Sequence, residues 1–294
     1  MKINVMGATG HLGRKVMQAL LDGGAQPEDL IASVRTPAKA GDLAERGITV
    51  RRADYEDGQT MQKAFRGSEV LLLIPTTAAV EPRILQHARA LDAAAAAGVK
   101  RVVFSSVTSA VPDSRFLISP FLLYAESKLR LSGMDWTILR NGMYLDPVAE
   151  WMPELVEMGT LPYPVKHGRI AYISRDDLAR ATAGALLNSG HSEKIYALTG
   201  PYALSMPELA AAISRATGHE VRFEGATEAE YAEACRTGAE ALPEHFIQVL
   251  TSIYRAVDNH EFGTATDHVE RLSGTPAEPA EQYLRRWWAN AKGE

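Results

Sequence analysis

The sequence predicts an α/β fold of the Rossmann type, a doubly wound parallel sheet followed by a smaller, mainly helical region at the C-terminus. Three observations predict it. Short apolar or β-branched runs alternate with longer amphipathic stretches over about the first 140 residues. A glycine-rich turn joins the first run to the first amphipathic stretch, and roughly the last hundred residues have mostly helical patterns.

The apolar runs predict six strands, which cover residues 3–6, 30–34, 48–50, 70–74, 101–105 and 136–139. The stretches between them have apolar residues at helical intervals, and most are closed by a glycine, which is typical of helix C-termini. A series of such strand–helix–strand units builds a parallel sheet. Its ligand site is expected at the carboxyl ends of the strands, near the point where the strand order reverses.

The pattern changes beyond residue 142. A segment rich in Pro, Gly and aromatic residues over 151–168 precedes two short predicted strands, RIAYIS and KIYALTG, which flank the helix DDLARATAGALL. The helical stretches that follow are MPELAAAISRATG, ATEAEYAEACRTG, PEHFIQVLTSIYRAVDNH and AEQYLRRWWANA. We therefore expect a Rossmann domain over 1–150, to which 170–200 return, and a substrate-covering region over 151–294.

Composition excludes several classes of protein. The chain has 31 Lys and Arg against 36 Asp and Glu, without long runs of like charge, so neither nucleic acid nor an anionic membrane surface is an expected partner. Cys235 is the single cysteine, which excludes an internal disulfide, and no spacing suggests a metal site. No apolar stretch approaches the roughly 18 residues of a membrane span, and the glycine turn comes too early for a signal peptide. We expect a soluble, cytoplasmic monomer or homodimer that binds a small molecule.

The glycine-rich turn reads GATGHLG and is the strongest motif. Gly7 can make the tight turn, Gly10 can admit a pyrophosphate, Gly13 can allow close helix packing, and free N–H groups at the helix start can bind phosphates. The spacing is G-x-x-G-x-x-G rather than the commoner G-x-G-x-x-G. Its place between a strand and a helix favours a dinucleotide cradle over a turn without a ligand. The predicted cofactor-binding residues of this turn are Gly7, Thr9, Gly10, His11, Leu12 and Gly13.

The end of the second strand indicates which dinucleotide binds. It carries Arg35 and no carboxylate, and a guanidinium there suits the 2′-phosphate of NADP(H). Lys39 and Arg14 could join it, with a solvated helix face as the alternative for both. Asp54, after the third strand, is a candidate for the adenine edge, although surface turns often carry Asp. The later strand ends complete the predicted cofactor site with Pro75, Thr76, Ser105 and Ser106.

Four motifs in this order, GATGHLG, VVFSSV, LSGMDWTILRNGMY and ISRDDLARATAGALL, resemble the NmrA-like branch of the atypical short-chain dehydrogenase/reductases. The resemblance covers essentially the whole chain and implies a Rossmann fold with NADP(H). The branch contains NADPH-dependent quinone, azo-dye and triphenylmethane-dye reductases, ketone reductases of aromatic polyketide pathways, and regulators that bind dinucleotide without known turnover. The resemblance therefore implies fold and cofactor closely and reaction only loosely.

Tyr124 and Lys128 have the Tyr-x-x-x-Lys spacing of the short-chain dehydrogenases, in which the tyrosine supplies a proton to the substrate. In extended members of that family a glutamate follows the lysine by four residues. If Glu126 is that glutamate, as its distance from the sixth strand suggests, Ile118 and Leu122 occupy the tyrosine and lysine positions. The pair is then displaced by about 240° around the helix. Three interpretations remain open: a working acid with its ribose anchor, a lone pocket-wall tyrosine with a solvated lysine, and a surface pair.

Hydride transfer to a quinone or a polarised conjugated carbonyl depends on alignment more than on a strong acid. Thr108 lies just beyond the usual catalytic hydroxyl position of the fifth strand, which is Val107 here, and Tyr144 could donate a proton. Together with Tyr124 and Lys128 they form the predicted catalytic set. Further candidate pocket walls, each with core packing as the alternative, are Asn141, Trp151, Met152, Tyr163, His167 and Tyr172.

These expectations predict an NADPH-dependent reductase that transfers hydride to a quinone-like or conjugated aromatic carbonyl substrate. The alternative is a non-catalytic NADP(H)-binding redox sensor that acts through a protein partner. An isomerase or dehydratase of nucleotide sugars is a third possibility, but those reactions depend on the Tyr–Lys pair that is displaced here.

Overall fold

A seven-stranded parallel sheet forms the centre of the protein, as seen in a computed structural model that describes residues 1–238 and 241–292. In chain order the strands are β1 (Ile3–Met6), β2 (Leu30–Val34), β3 (Thr49–Arg52), β4 (Val70–Leu73), β5 (Arg101–Val107), β6 (Asp135–Asn141), β7 (Thr160–Leu161), β8 (Arg169–Ile170), β9 (Lys194–Leu198), β10 (Leu204–Ser205) and β11 (Arg222–Phe223). The sheet order is β3-β2-β1-β4-β5-β6-β9, and the remaining strands form two short pairs, β10 with β8 and β11 with β7.

Helices cover both faces of the sheet. They are α1 (His11–Asp22), α2 (Gly41–Glu45), α3 (Gly58–Phe65), α4 (Val80–Ala96), α5 (Ser119–Arg130), α6 (Asp146–Glu150), α7 (Met152–Met158), α8 (Arg175–Leu187), α9 (Met206–Thr217), α10 (Glu228–Thr237), α11 (Glu244–Asp258), α12 (His268–Ser273) and α13 (Ala280–Lys292). One hydrophobic core lies under α3, α4 and α5, and a second lies under α1, α8 and α12. The predicted fold class, a doubly wound Rossmann-type sheet, is confirmed.

The strand order reverses between β1 and β4, which are neighbours on either side of the crossover point. A Cβ atom placed on Gly7, directly after β1, would lie 3.6 Å from the Cβ atom of Ile74, directly after β4. The two loops that follow these strands therefore meet at the carboxyl edge. This is the position at which open α/β sheets bind their ligands.

The later part of the chain contributes to the same sheet. KIYALTG forms β9, which pairs in parallel with β6, and α8 packs on α1. RIAYIS forms only the two-residue β8, because the next backbone groups find other partners: Ala171 N–H donates to the carbonyl of Phe262, and Ile173 N–H donates to that of Met143. The short helix α12 is not predicted by the sequence pattern. Residues 239–240 and 293–294 of the expected substrate-covering region lie outside the described residues.

Across residues 1–238 and 241–292, every helix is too short or too polar to cross a membrane. In the same ranges no group of three or more His, Cys, Asp or Glu side chains is arranged to hold a metal ion.

Candidate functional site

The GATGHLG motif forms the turn between β1 and α1. Gly7 has φ of +88°, a conformation that favours glycine, and a Cβ atom on Gly13 would lie 2.2 Å from the carbonyl oxygen of Gly7. Gly10 has ordinary extended angles and a Cβ atom there would meet only the Gly7 carbonyl oxygen, at 3.3 Å. The turn itself thus requires glycine at 7 and 13. Glycine at 10 instead keeps the outer side of the turn open for a closely approaching group.

Among the described residues, no side chain caps the N-terminus of α1. Its first turn carries no acidic residue, and its first backbone hydrogen bond runs from Arg14 N–H to the Gly10 carbonyl at 2.9 Å. The N–H groups of His11, Leu12 and Gly13 therefore lack backbone acceptors within the described chain. Free N–H groups at the positive end of a helix dipole bind phosphate. This cradle fits the pyrophosphate of a dinucleotide.

Cationic side chains gather beside the end of β2. Arg35 is exposed directly after the strand, and Lys39 is exposed in the 3₁₀ turn over Pro37–Ala40. Arg14 joins this turn by donating to the carbonyl oxygen of Lys39 at 2.7 Å, and it pairs with Asp42 at 2.5 Å. The hydrogen bond from Arg14 lowers the pKa of the Asp42 carboxyl. The group suits a 2′-phosphate, although Arg14 already holds one anion.

The loops after β3 and β4 are tied to each other. One carboxylate oxygen of Asp54 accepts from Glu56 N–H at 3.1 Å and so stabilises its own turn. The Tyr55 hydroxyl donates to the carbonyl oxygen of Ile74 at 2.7 Å. Pro75 follows Ile74, and the Thr76 hydroxyl donates to the Gln86 side chain at 2.5 Å. These bonds fix the loop that carries Pro75 and Thr76 beside the crossover point.

Unpaired polar atoms lie at the carboxyl ends of β5 and β6. Asn141 Nδ2 donates to the Ser105 hydroxyl at 3.0 Å and to the Tyr144 hydroxyl at 3.2 Å. Asn141 Oδ1 and the Thr108 hydroxyl oxygen are buried without a hydrogen-bond partner among the described residues. Because buried polar groups are nearly always hydrogen-bonded, these atoms are candidates for bonding to a ligand or to an ordered water. Burial raises the pKa of Tyr144, which the hydrogen bond from Asn141 partly opposes.

Ser106 points to the other side of the strand. Its hydroxyl donates at 2.6 Å to Glu126, which is 4% exposed. Arg140 donates to both oxygens of the same carboxylate, at 3.0 and 2.7 Å. Glu126 therefore joins α5 to the ends of β5 and β6. The structure brings Ser105, Thr108, Asn141 and Tyr144 together at the carboxyl edge and places Ser106 beneath α5.

Tyr124 and Lys128 lie on the outer side of α5. Lys128 Nζ is 2.6 Å from an oxygen of Asp92 on α4, and the side chain of Tyr124 is 39% exposed. Ile118 is the N-cap of α5, and both it and Leu122 are buried apolar residues. The structure does not bring Tyr124 and Lys128 to the residues at the ends of β5 and β6. This arrangement favours the surface-pair interpretation.

An aromatic cluster lies in the C-terminal region. The ring of Tyr163 is 5.6 Å from that of Trp151 and 5.0 Å from that of Tyr254, which in turn is 5.0 Å from that of Tyr231. The hydroxyls of Tyr231 and Tyr254 are 3.4 Å apart. Burial raises the pKa of Tyr163 to about 12 and also raises that of Tyr172, with the Tyr163 and Tyr231 hydroxyls adding to the latter shift. Ring contacts therefore join Trp151, Tyr163, Tyr231 and Tyr254 into one cluster, and Tyr172 lies near it.

The aromatic cluster is joined to the carboxyl edge of the sheet through Tyr172. The neighbouring Ile173 exchanges backbone hydrogen bonds with Met143 and Leu145, both at 2.9 Å, directly after β6. Met152 is fully buried, whereas His167 is exposed in a loop whose N–H groups bind Asp258. Tyr231 and Tyr254 were not predicted as site residues. They lie on amphipathic helices, where a pocket wall and a core position have the same sequence pattern.

A cleft of about 820 Å³ lies on the outer side of this region. It runs between the loop at Pro164–Lys166, the start of α10 and the end of α11. Each of these three segments also contains or directly follows a residue of the aromatic cluster. Its rim carries Arg115, and the paired side chains of Arg255 and Glu228.

The crossover-point cradle, the bare helix N-terminus and the cations after β2 define a dinucleotide-binding protein of the Rossmann class. The chain matches the NmrA-like family over residues 1–283 and belongs to that family, which confirms the predicted resemblance. It is 36% identical over 235 residues to quinone oxidoreductase 2 of Escherichia coli (strain K12), covering 80% of this chain and 81% of the relative.

Two solved structures are similar over nearly the whole chain. An NADPH-dependent quinone oxidoreductase from Escherichia coli, complexed with NADPH, superposes with a TM-score of 0.90 at 32% identity, covering 97% of this chain and 99% of that one. The Citrobacter sp. triphenylmethane reductase complexed with NADP(H) gives a TM-score of 0.91 at 30% identity, with 98% and 100% covered.

Proposed function

We propose that this protein uses NADPH to reduce a quinone-like or conjugated aromatic carbonyl compound. The chain is an NAD(P)H-dependent oxidoreductase, and its cofactor is NADP(H). The observation that carries the substrate class is the aromatic cluster, because it is joined to the strand ends that hold the unpaired Asn141 and Thr108 atoms. Flat conjugated molecules suit such aromatic walls.

The residues of the chain would hold NADPH along the carboxyl edge of the sheet. The N–H groups of residues 11–13 would bind the pyrophosphate, and Arg35 with Lys39 would bind the 2′-phosphate. Asn141 Oδ1 and the Thr108 hydroxyl would form hydrogen bonds at the nicotinamide end of the cofactor. Bound NADPH supplies the hydride.

Tyr144 is suited to orient a substrate carbonyl in this arrangement. Its oxygen accepts from Asn141, so its own proton remains available for donation. Its raised pKa keeps it protonated at neutral pH, and it would act as a hydrogen-bond donor rather than as a strong acid. The aromatic walls would align the substrate and exclude water from the transfer.

The proposal is tested by NADPH oxidation with a panel of neutral quinones, aromatic ketones and dyes. We expect turnover with at least one quinone or conjugated carbonyl compound. Tight NADP(H) binding without oxidation by any acceptor would instead favour the redox-sensor alternative.

A substitution at Arg35 tests the predicted contact with the 2′-phosphate of NADPH. Arg35→Ala should raise the KM for NADPH about tenfold and leave that for NADH unchanged, because it removes a charge-assisted hydrogen bond to the 2′-phosphate. Arg46→Ala removes another exposed cation, which ends α2, and serves as the control. Equal effects of both substitutions would contradict the assignment of Arg35.

A further inference from the structure

Arg83 is a buried cation that forms no ion pair with any of the described residues. It lies in the first turn of α4 and is 6% exposed. Among the described residues its Nε atom has no acceptor, and burial alone lowers its pKa, to about 10, with no carboxylate opposing the shift. It therefore remains protonated at neutral pH. An uncompensated buried charge is costly, which makes this arginine a candidate for binding an anionic group of a ligand.

The surroundings of Arg83 are aromatic and uncharged. Its guanidinium carbon lies 5.4 Å from the centroid of the Phe121 ring. His87 packs on the same ring, with the centroids 4.6 Å apart, and its Nδ1 donates to the carbonyl oxygen of Arg83 at 2.8 Å. Burial lowers the pKa of His87 to about 4, so this neighbour is neutral at neutral pH and supplies no charge. Within the described residues, no carboxylate thus offsets the positive charge of the guanidinium.

Arg83 lies at the end of the molecule where hydride transfer is expected. Its N–H donates to Ala79, at the end of the loop that follows β4. Phe121 is in the first turn of α5, and its ring is 6.5 Å from that of Phe104 on β5. The guanidinium therefore lies between the first turns of α4 and α5, beside the carboxyl ends of β4 and β5. If Glu126 sets the register, Ile118, the N-cap of α5, takes the usual acid position and offers no proton there.

We propose that Arg83 determines the choice of electron acceptor by stabilising negative charge that develops on the substrate oxygen. The inference rests on the proposed function. Hydride addition from NADPH to a neutral quinone leaves an anionic oxygen, which later takes a proton from water. Hydride addition to the central carbon of a cationic triphenylmethane dye cancels the positive charge of the dye. A buried guanidinium favours the first reaction and disfavours binding of the second substrate.

The test compares Arg83→Met, which keeps the length and apolar stem, with Arg83→Lys, which keeps the charge. Arg89→Met removes an exposed arginine of the same helix and is the control. For each protein, kcat/KM is measured with a neutral benzoquinone and with a cationic triphenylmethane dye, alongside the Kd for NADPH. We expect Arg83→Met to lower kcat/KM for the quinone about 100-fold while that for the dye is unchanged or higher. Arg83→Lys should retain the preference, and the Kd for NADPH should not change.

A second measurement needs no turnover. The anion 2,4-dinitrophenolate, added with NADP⁺, should raise the thermal midpoint of the wild type and of Arg89→Met but not that of Arg83→Met. Equal loss of activity with both acceptors would overturn the inference, because a purely structural arginine affects all substrates alike. Absence of phenolate binding to the wild type would also overturn it, even if Arg83→Met does not fold. Failure of the proposed function is distinguishable, since the wild type itself would then oxidise no NADPH with the quinone.

Discussion

His87 should make the stability of this protein depend on pH. The side chain is 1% exposed and packs between the rings of Tyr55 and Phe121, whose centroids are 4.9 and 4.6 Å away. Burial lowers its pKa from 6.5 to about 4, so the folded protein holds it neutral. The unfolded chain takes up the proton first as the pH falls. The titration of His87 therefore does not lower the free energy of unfolding above about pH 6.5. Below that pH the free energy of unfolding declines, down to about pH 4.

The magnitude follows from the shift in pKa. Between these two values the free energy of unfolding falls by about 1.4 kcal/mol per pH unit, and the loss reaches about 2 kcal/mol between about pH 7 and about pH 5. His87→Gln removes the titration and keeps a side-chain donor for the Arg83 carbonyl. The variant should lose about 2 kcal/mol less than the wild type over this interval.

The assay is urea unfolding at the two pH values, followed by tryptophan fluorescence. His219→Gln replaces an exposed histidine and controls for the loss of any imidazole. Comparing each variant with the wild type removes the contribution of the carboxylates. If the wild type and His87→Gln lose equal stability between the two pH values, the folded protein does not hold this histidine as a buried neutral side chain.

Four further substitutions test the site. Gly13→Ala should destabilise by roughly 1–3 kcal/mol in urea unfolding and abolish NADPH binding, since its methyl group meets the Gly7 backbone, whereas Gly58→Ala enters open space and should be neutral or stabilising. Glu126→Gln breaks a buried ion pair and should cost about 3–5 kcal/mol by the same measurement; a loss below about 1 kcal/mol contradicts this. Tyr124→Phe and Lys128→Ala should each change kcat less than about twofold in NADPH oxidation, and losses of orders of magnitude would restore the catalytic interpretation.

Local patterns in the sequence predicted the sheet and the cradle because both are built from neighbouring residues. A strand, a glycine turn and a helix follow one another within GATGHLG and its flanks, and their geometry needs no distant contact. The tyrosine cluster is different. Tyr163 and Tyr254 stand 91 positions apart, and only the packing of α11 against the loop after β7 brings their rings to 5.0 Å. No periodicity encodes such a pair.

Arg83 shows a second limit of sequence patterns. It stands in EPRILQHARALDAAAAAG, where charged and apolar residues recur at helical spacing, and that pattern predicts an exposed arginine. Burial arises because α5 covers this face of α4 with Phe121. The missing counterion is visible only when every neighbour within the described residues is known. A violated local rule of this kind points to a functional position.

Glu126 fixes the orientation of α5, and this orientation bears on the mechanism. Its contacts with Ser106 and Arg140 orient α5, and that orientation carries Lys128 toward Asp92 on the outside. The same orientation leaves the apolar Ile118 at the start of the helix, which is the position of the proton donor if Glu126 sets the register. We therefore predict that this reductase does not use a tyrosine held acidic by a lysine. On this prediction, hydride transfer depends on alignment of the acceptor and on fixed charge, which favours acceptors whose reduction does not require a proton in the same step.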